Sequence, residues 1–468
     1  MQSLALLFAA SLAALVILAR SATTRAASSI PYSATRQPSY AGALLALAGT
    51  LASGIASAAD APLTLAEAQR RAVERSYQIP AQDAAVSASR EMAVAAGQLP
   101  DPVLKLGLDN LPADGPDQFS LTRDFMTQQR VGLSQEIVRS DKRHLRAERY
   151  EREAQKSLAE KTAIIAATQR DTALAWLDRY YAEAMTTVLV EQAKEVKLEI
   201  IAAESAYRAG RGSQADLFAA QGVLAGLEER TSEFNRRIAT ARIRLARWVG
   251  DVADAPLDDK PPMETVRLDP SALELDLAHH PDVAVLSRQI EVATADARIA
   301  QADKKADWSV ELSYAVRGPA YSNMVSLGFS VPLQWNQRTR QDRELGARLA
   351  TVEQVRAQRD DLLRAHVAEV DTMLREWENG RERQSRYQRE ILPLARERTR
   401  AALTAFKGGK AGLTDLLLAR RNEIDLRLQA LQLEQDTARL WAQLNFLIPV
   451  DDIGHAASRP SLRSGESK

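Results

Sequence analysis

Cysteine is absent from the 468 residues of this chain. That excludes disulfides, thiolate metal sites, a cysteine nucleophile and an acylated N-terminal cysteine. Net charge is absent too: lysine plus arginine number 61, as do aspartate plus glutamate. Proteins that hold nucleic acid through its phosphates carry a basic excess, so nucleic acid is not an expected partner. Aromatic residues make up only 5% of the chain, against 26% charged. A mixture rich in Ala, Leu, Arg, Glu and Gln suits long exposed helices better than an enzyme core. The sequence has no Gly-x-Ser-x-Gly and no phosphate loop, and its carboxylates read as solvated helix faces. No catalytic residue, no enzyme activity and no cofactor is expected. Histidine is scarce, at five residues. His279 and His280 are adjacent, so on a helix they point about 100° apart and read as a solvated helix start. His144, His366 and His455 stand alone, and no metal site is expected.

Proline and glycine are missing from Asp141 to Arg208. At about 1.5 Å per residue this stretch predicts a helix on the order of 100 Å long. It ends at Tyr207-Arg-Ala-Gly-Arg-Gly-Ser-Gln-Ala-Asp-Leu-Phe218, which returns as Phe406-Lys-Gly-Gly-Lys-Ala-Gly-Leu-Thr-Asp-Leu-Leu417. Gly210 matches Gly409, Arg211 matches Lys410, and Asp216 matches Asp415. The glycines predict left-handed helix ends. Ser213, three residues before Asp216, predicts a capping-box-like start for the next helix. A turn repeated at this distance predicts two copies of one helical hairpin.

The flanking segments repeat in the same order. Leu63 to Gly97 reads as one helix, stopped by Pro100 and Pro102. Period-two alternation follows around Leu104, Leu106 and Leu108, and again around Val131, Leu133 and Ile137, predicting a hairpin. The helix after the first turn carries an apolar seam from Leu217 through Leu227 and Phe234 to Trp248, spaced alternately three and four as in a coiled coil. Strands are predicted again around Trp308, Val310, Leu312 and Tyr314, and around Val325, Leu327, Phe329 and Val331. A long helix from about Arg338 to Lys407 holds Gly380 and Pro393, where a kink or break is expected.

The expected organisation is a targeting region at 1–59, a first repeat at 60–250, a linker at 251–270, a second repeat at 271–448 and a disordered tail at 449–468. The signal peptide is placed at about 34–58, with a membrane anchor at 3–19 as the alternative.

Each half thus reads helix, strand, strand, long helix, helix. Strands of about eight to ten residues cross a membrane only when tilted, and in lipid their edges must close into a barrel. Membrane barrels need at least about eight strands, so several chains are expected to share one. The outward faces are assigned to Leu104, Leu106, Leu133, Val310, Leu312, Leu327 and Phe329, with Ser309, Glu311 and Ser313 toward the lumen.

The repeat order and the two Gly-x-x-x-x-x-Asp-Leu turns resemble the TolC-like outer-membrane efflux family, over about residues 62–448. Gly107-Leu-Asp-Asn-Leu-Pro112, Val131-Gly-Leu-Ser-Gln-Glu136 with Lys142-Arg143, and Val331-Pro-Leu-Gln-Trp-Asn-Gln-Arg338 resemble its heavy-metal, CusC- and CzcC-like branch. The missing cysteine departs from the CusC-like lipoproteins. The resemblance implies a mainly helical homotrimer with a twelve-stranded barrel in outer-membrane lipid, continued by a periplasmic coiled-coil tunnel. It implies as partners a periplasmic adaptor and an inner-membrane pump of the resistance-nodulation-division type. The cargo it suggests is heavy-metal ions such as copper, zinc or cobalt.

Asp216 and Asp415 then have two open readings. They ring the periplasmic aperture, pairing with Arg211 or Lys410, or they are ordinary helix N-terminal acids. Gly210, Gly212, Gly408 and Gly409 are candidates for adaptor docking. The competing reading of the whole chain is a soluble periplasmic coiled-coil scaffold or adaptor without a pore.

Overall fold

The computed structural model describes residues 62–210, 212–268 and 273–449. The signal at about 34–58, the alternative anchor at 3–19, Arg211, His455 and the tail beyond residue 449 lie outside the described residues.

The first half begins with α1 (Leu65–Arg75) and α2 (Gln78–Ala96). These were expected as one helix and are two. Thr64 caps α1, its hydroxyl accepting from the Glu67 amide. Pro80 has no N–H for the Ser76 carbonyl, so the chain breaks at Ser76–Tyr77 and restarts with proline in the first turn, where no donor is needed. Strands β1 (Val103–Asp109) and β2 (Gln128–Ile137) follow, then α3 (Ser140–Arg208, 69 residues) and α4 (Gln214–Val249).

The second half runs α5 (Leu273–Leu277), α6 (Pro281–Ala302), β3 (Trp308–Val316), β4 (Met324–Ser330), α7 (Gln341–Arg386), α8 (Leu392–Lys407) and α9 (Leu413–Asn445). Between α7 and α8 the residues Tyr387–Ile391 form one π turn, and the Leu392 amide bonds back to the Tyr387 carbonyl. Pro393 causes it, since an α-helical path would drive its ring into the carbonyl four residues back. Gly380 does not break α7. It lies against α9, where a Cβ would come within 2.4 Å of Thr437 Oγ1.

The four strands form one antiparallel sheet in the order β1-β2-β3-β4, so the hairpins of the two halves join through β2 and β3. The helices pack lengthwise, α3 against α2, α4, α6 and α9, and α7 against α6 and α9. Along α4 the residues Ala220, Leu227, Phe234 and Ala241 are buried at every seventh position. This is the seam of a helix pair.

The main core gathers where α1, α3, α4, α7 and α9 meet the connection 250–268. Trp176, Leu177, Tyr181, Leu189 and Leu245 are fully buried in it. Three of its polar side chains bond to that connection or to Leu63, the residue paired with it. Trp176 Nε1 donates to the Leu63 carbonyl at 2.9 Å, Trp441 Nε1 to the Thr265 carbonyl at 3.0 Å, and Arg179 to the Ala253 carbonyl at 2.5 Å. Leu63 itself pairs with Leu257. The Pro-rich connection is therefore a strap bound to the core.

Among the described residues, no helix is long and apolar enough to cross a membrane.

Candidate channel surfaces

The register of the sheet sorts its side chains into two faces. Leu104, Leu133, Leu312 and Leu327 are consecutive partners across all four strands. So are Leu106, Val131, Tyr314 and Val325, and Val310 pairs with Phe329 in the next row. All seven outward-face candidates therefore share one side of the sheet, because alternate residues along paired strands do. Leu104, Leu106, Leu327 and Phe329 are exposed, whereas Val310, Leu133 and Leu312 are partly covered by neighbouring rows.

The opposite side is polar. Lys105 pairs with Glu311 at 2.5 Å, and Arg130 with Asp109 at 3.0 Å. Ser313, assigned to the lumen side, is on this face and is 6% exposed. Gly132 lies across from it, and a Cβ there would come within 3.1 Å of the Ser313 Cβ. The two outer strands, β1 and β4, are exposed throughout apart from Asp109. An apolar sheet with two unpaired edges is a template for further strands.

Where strands give way to helices, the buried Lys142 reaches Asp307 at 2.8 Å and Asp303 at 3.3 Å. Asp307 also accepts from the Arg139 amide at 3.0 Å. These bonds tie the start of α3 to the α6–β3 connection and fix how the sheet meets the helices.

At the far end of the long helices, the two repeated turns are brought side by side. Gly210 and Gly409 have φ of +70° and +67°, the left-handed conformation that glycine adopts without strain. Neither has an atom within 4 Å of a Cβ position, so both face open space. Gly212, by contrast, is crowded by Tyr207 and Ala206. Gly408 closes α8 at a φ of −82°. Ser213 and Asp216 form a complete capping box, whereas Gly412 caps α9 without a side chain.

Asp216 is engaged by the Ser213 hydroxyl at 2.7 Å and the Ser213 amide at 3.2 Å, with Thr414 of the other turn at 3.5 Å. Hydrogen bonds from Ser213, with a smaller one from Thr414, hold its carboxyl below the usual range. Among the described residues its partners are thus hydroxyls and an amide, and Lys410 is not among them.

Beneath the turns, Ala203, Ala220, Leu413, Leu416 and Leu417 form a small core shared by both hairpins. Arg420, 7% exposed, forks onto Glu199 Oε1 at 2.6 and 3.1 Å. This buried pair locks α9 to α3. No sequence signal linked the two residues, which lie 221 positions apart.

The histidines depart from expectation. His280 is not solvated: it is 6% exposed, and its Nδ1 accepts from the Asp282 amide at 3.2 Å to cap α6. His366 is not isolated: its ring lies 4.4 Å, centroid to centroid, from that of His280. Burial, and after it the His366 ring, lowers the His280 pKa to about 4, so this imidazole is neutral at neutral pH. Pro281 was the available signal for the α6 start, at N1. The partnership with residue 366 had none.

No family model matches the sequence, and no curated relative does. Solved structures do match its fold. CusC, described in terms of folding and transmembrane channel formation, aligns at a TM-score of 0.69 with 15% identity, over 82% of this chain and 91% of CusC. The outer-membrane channel OprN aligns at 0.67 with 16% identity, over 82% and 90%. The outer membrane protein VceC from Vibrio cholerae aligns at 0.65 with 18% identity, over 82% and 95%. The fold is the one these outer-membrane proteins share.

Proposed function

We propose that this chain is one protomer of a TolC-like outer-membrane channel-tunnel, a passive duct with no enzymatic step. One observation carries the reading. A four-stranded sheet, apolar on one face and ion-paired on the other, sits with both edges open at one end of two long helical hairpins. Open edges are not tolerated in lipid, so the sheet must close with copies of itself. Three copies give the twelve-stranded barrel, with Leu104, Leu106, Leu133, Val310, Leu312, Leu327 and Phe329 toward lipid. The outer membrane is then the location, and α3, α4, α7, α8 and α9 form the periplasmic tunnel wall. The fold shared with outer-membrane channels over 82% of the chain supports the same reading.

The paired turns at the opposite end are the natural aperture and docking surface. Asp216 and Asp415 begin the returning helices there, and Gly210 and Gly409 leave space for another helical tip. Their partners are a periplasmic adaptor and, through it, an inner-membrane pump of the resistance-nodulation-division type. Heavy-metal ions are the cargo suggested by the three local segments that resemble the CusC- and CzcC-like branch.

The test is reconstitution of detergent-purified protein into planar bilayers. A stable trimer that conducts, with altered conductance and cation selectivity in Asp216→Ala/Asp415→Ala, is the expected result. A monomeric protein that fractionates as soluble and opens no channel would replace the duct with a scaffold. Tryptophan at both Gly210 and Gly409 should abolish export in cells while leaving conductance. Growth of a deletion strain on metal salts and on drugs assigns the cargo.

A further inference from the structure

We propose that His280, Asp282 and His366 form a binding site for one first-row divalent transition-metal ion, zinc(II) being the best match, in each protomer. The site lies where the start of α6 meets the middle of α7, away from the turns and the sheet. It is independent of which cargo the protein carries and of whether it forms a channel.

The donor set is the first argument. Among the described residues these three alone offer His, Asp or Glu ligand atoms mutually within 4.8 Å in a group of three. Two imidazoles and one carboxylate are the ligands zinc accepts, with a fourth position left for water.

The geometry is the second. Tetrahedral zinc with bonds of about 2.0–2.1 Å needs ligand atoms about 3.3 Å apart. His280 Nδ1 and Asp282 Oδ2 are already 3.9 Å apart. The two rings, tilted by 36°, face each other at 4.4 Å from separate helices. The three ligand atoms lie within 4.8 Å of one another, so binding must draw them together by about 1.5 Å at most.

The third argument is a polar atom without a partner. His366 Nε2 is fully buried and makes no hydrogen bond. Buried ring nitrogens nearly always have one, and an exception calls for a cause. On the other side of the ring, Nδ1 lies 3.7 Å from Glu369 Oε2. A carboxylate there is the outer partner that metal-bound histidines commonly have, fixing the tautomer and raising ligand basicity.

Two features oppose binding. Arg170 on α3 faces His280 electrostatically, although its guanidinium is paired with Asp171 at 3.1 Å. Loading also surrenders the 3.2 Å cap bond from the Asp282 amide to His280. A ring that binds metal through Nε2 carries its proton on Nδ1, and one that binds through Nδ1 has no lone pair left there. Asp282 and Glu369 outnumber Arg170, so the site retains a net negative surround.

The experiment uses the full chain, purified in detergent and stripped with chelator. Zinc(II) is titrated by calorimetry and cobalt(II) by visible absorption. The expected result is one saturable equivalent per protomer, a tetrahedral cobalt band that zinc abolishes, and a zinc-dependent rise in the thermal midpoint. Asp282→Asn keeps the exposed position polar and the fold intact, and His366→Gln removes the unpartnered nitrogen. Each should weaken binding at least tenfold. His279→Ala, on the adjacent exposed residue, should bind as the wild type does. Absence of saturable binding by the wild-type protein overturns the proposal. So does affinity left unchanged by both Asp282→Asn and His366→Gln.

Discussion

Leu312 is the fifth of the nine residues of β3 and the centre of the row Leu104, Leu133, Leu312, Leu327. Nine residues at about 3.3 Å each span about 30 Å, and a strand tilt of about 35–45° reduces this to a height near the 25 Å apolar band of a membrane barrel. Leu312 then lies close to the membrane midplane. An arginine on the lipid face at that depth costs about 2–4 kcal/mol. Three copies per barrel would make the penalty about 6–12 kcal/mol per trimer, comparable with the whole stability of an ordinary domain. Leu312→Arg should therefore yield little heat-resistant trimer in the outer membrane. The matched control cannot be Ser313, because its buried position against Gly132 would add crowding to any charge effect. Ser326, the exposed partner of Ser313 on β4, is the proper lumen-side site. Ser326→Arg should assemble nearly as the wild type does. The assay is the fraction of trimer surviving mild detergent on a gel, beside membrane flotation. Equal assembly of the Leu312 and Ser326 variants would refute the two-faced reading of the sheet.

Arg420→Met should destabilise the tip of the helical hairpins by about 3–5 kcal/mol, because it strands the buried Glu199 carboxylate; Arg420→Met/Glu199→Met should recover most of this in denaturant unfolding, and no recovery would deny the pair its role. Gly380→Ala gains about 1 kcal/mol of helix propensity but costs about 1–3 kcal/mol of overpacking against Thr437. Adding Thr437→Ala should return the gain, so a double-mutant cycle without coupling of about 1 kcal/mol or more contradicts the contact. Ser213→Ala should cost about 1 kcal/mol of local stability, read as faster hydrogen exchange at the start of α4. Asp216 is held below its ordinary value of 3.8, so its stabilising contribution is complete above that value and is lost as pH falls through its lower, folded-state value. Exchange protection of the same segment should fall in strong acid and hold through the neutral range; protection that is flat into strong acid would argue against the Ser213–Asp216 box.

The sequence determined what local chemistry and periodicity can encode. The absence of proline and glycine from 141 to 208 allowed one uninterrupted helix, and α3 occupies Ser140–Arg208. Gly210 and Gly409 marked the two left-handed ends, where a Cβ is costly. Alternation of period two placed seven apolar residues on one face, and the register keeps them there because paired strands share their pleat. Pro393 marked a kink or break, which the structure makes as a π turn, since a missing donor and a ring clash act within one turn.

Tertiary structure alone decided what depends on residues far apart in the chain. Leu63 to Gly97 looked continuous because the apolar spacing runs through Ser76, where the backbone breaks. Alternation assigned Ser313 to a face but could not give its crowding by Gly132 on the paired strand. The adjacency of the two turns, the Arg420–Glu199 lock and the facing rings of His280 and His366 each join segments separated by 86 to 221 positions. Such contacts are set by how the helices cross, and helix crossings depend on the summed packing of whole surfaces rather than on any short pattern.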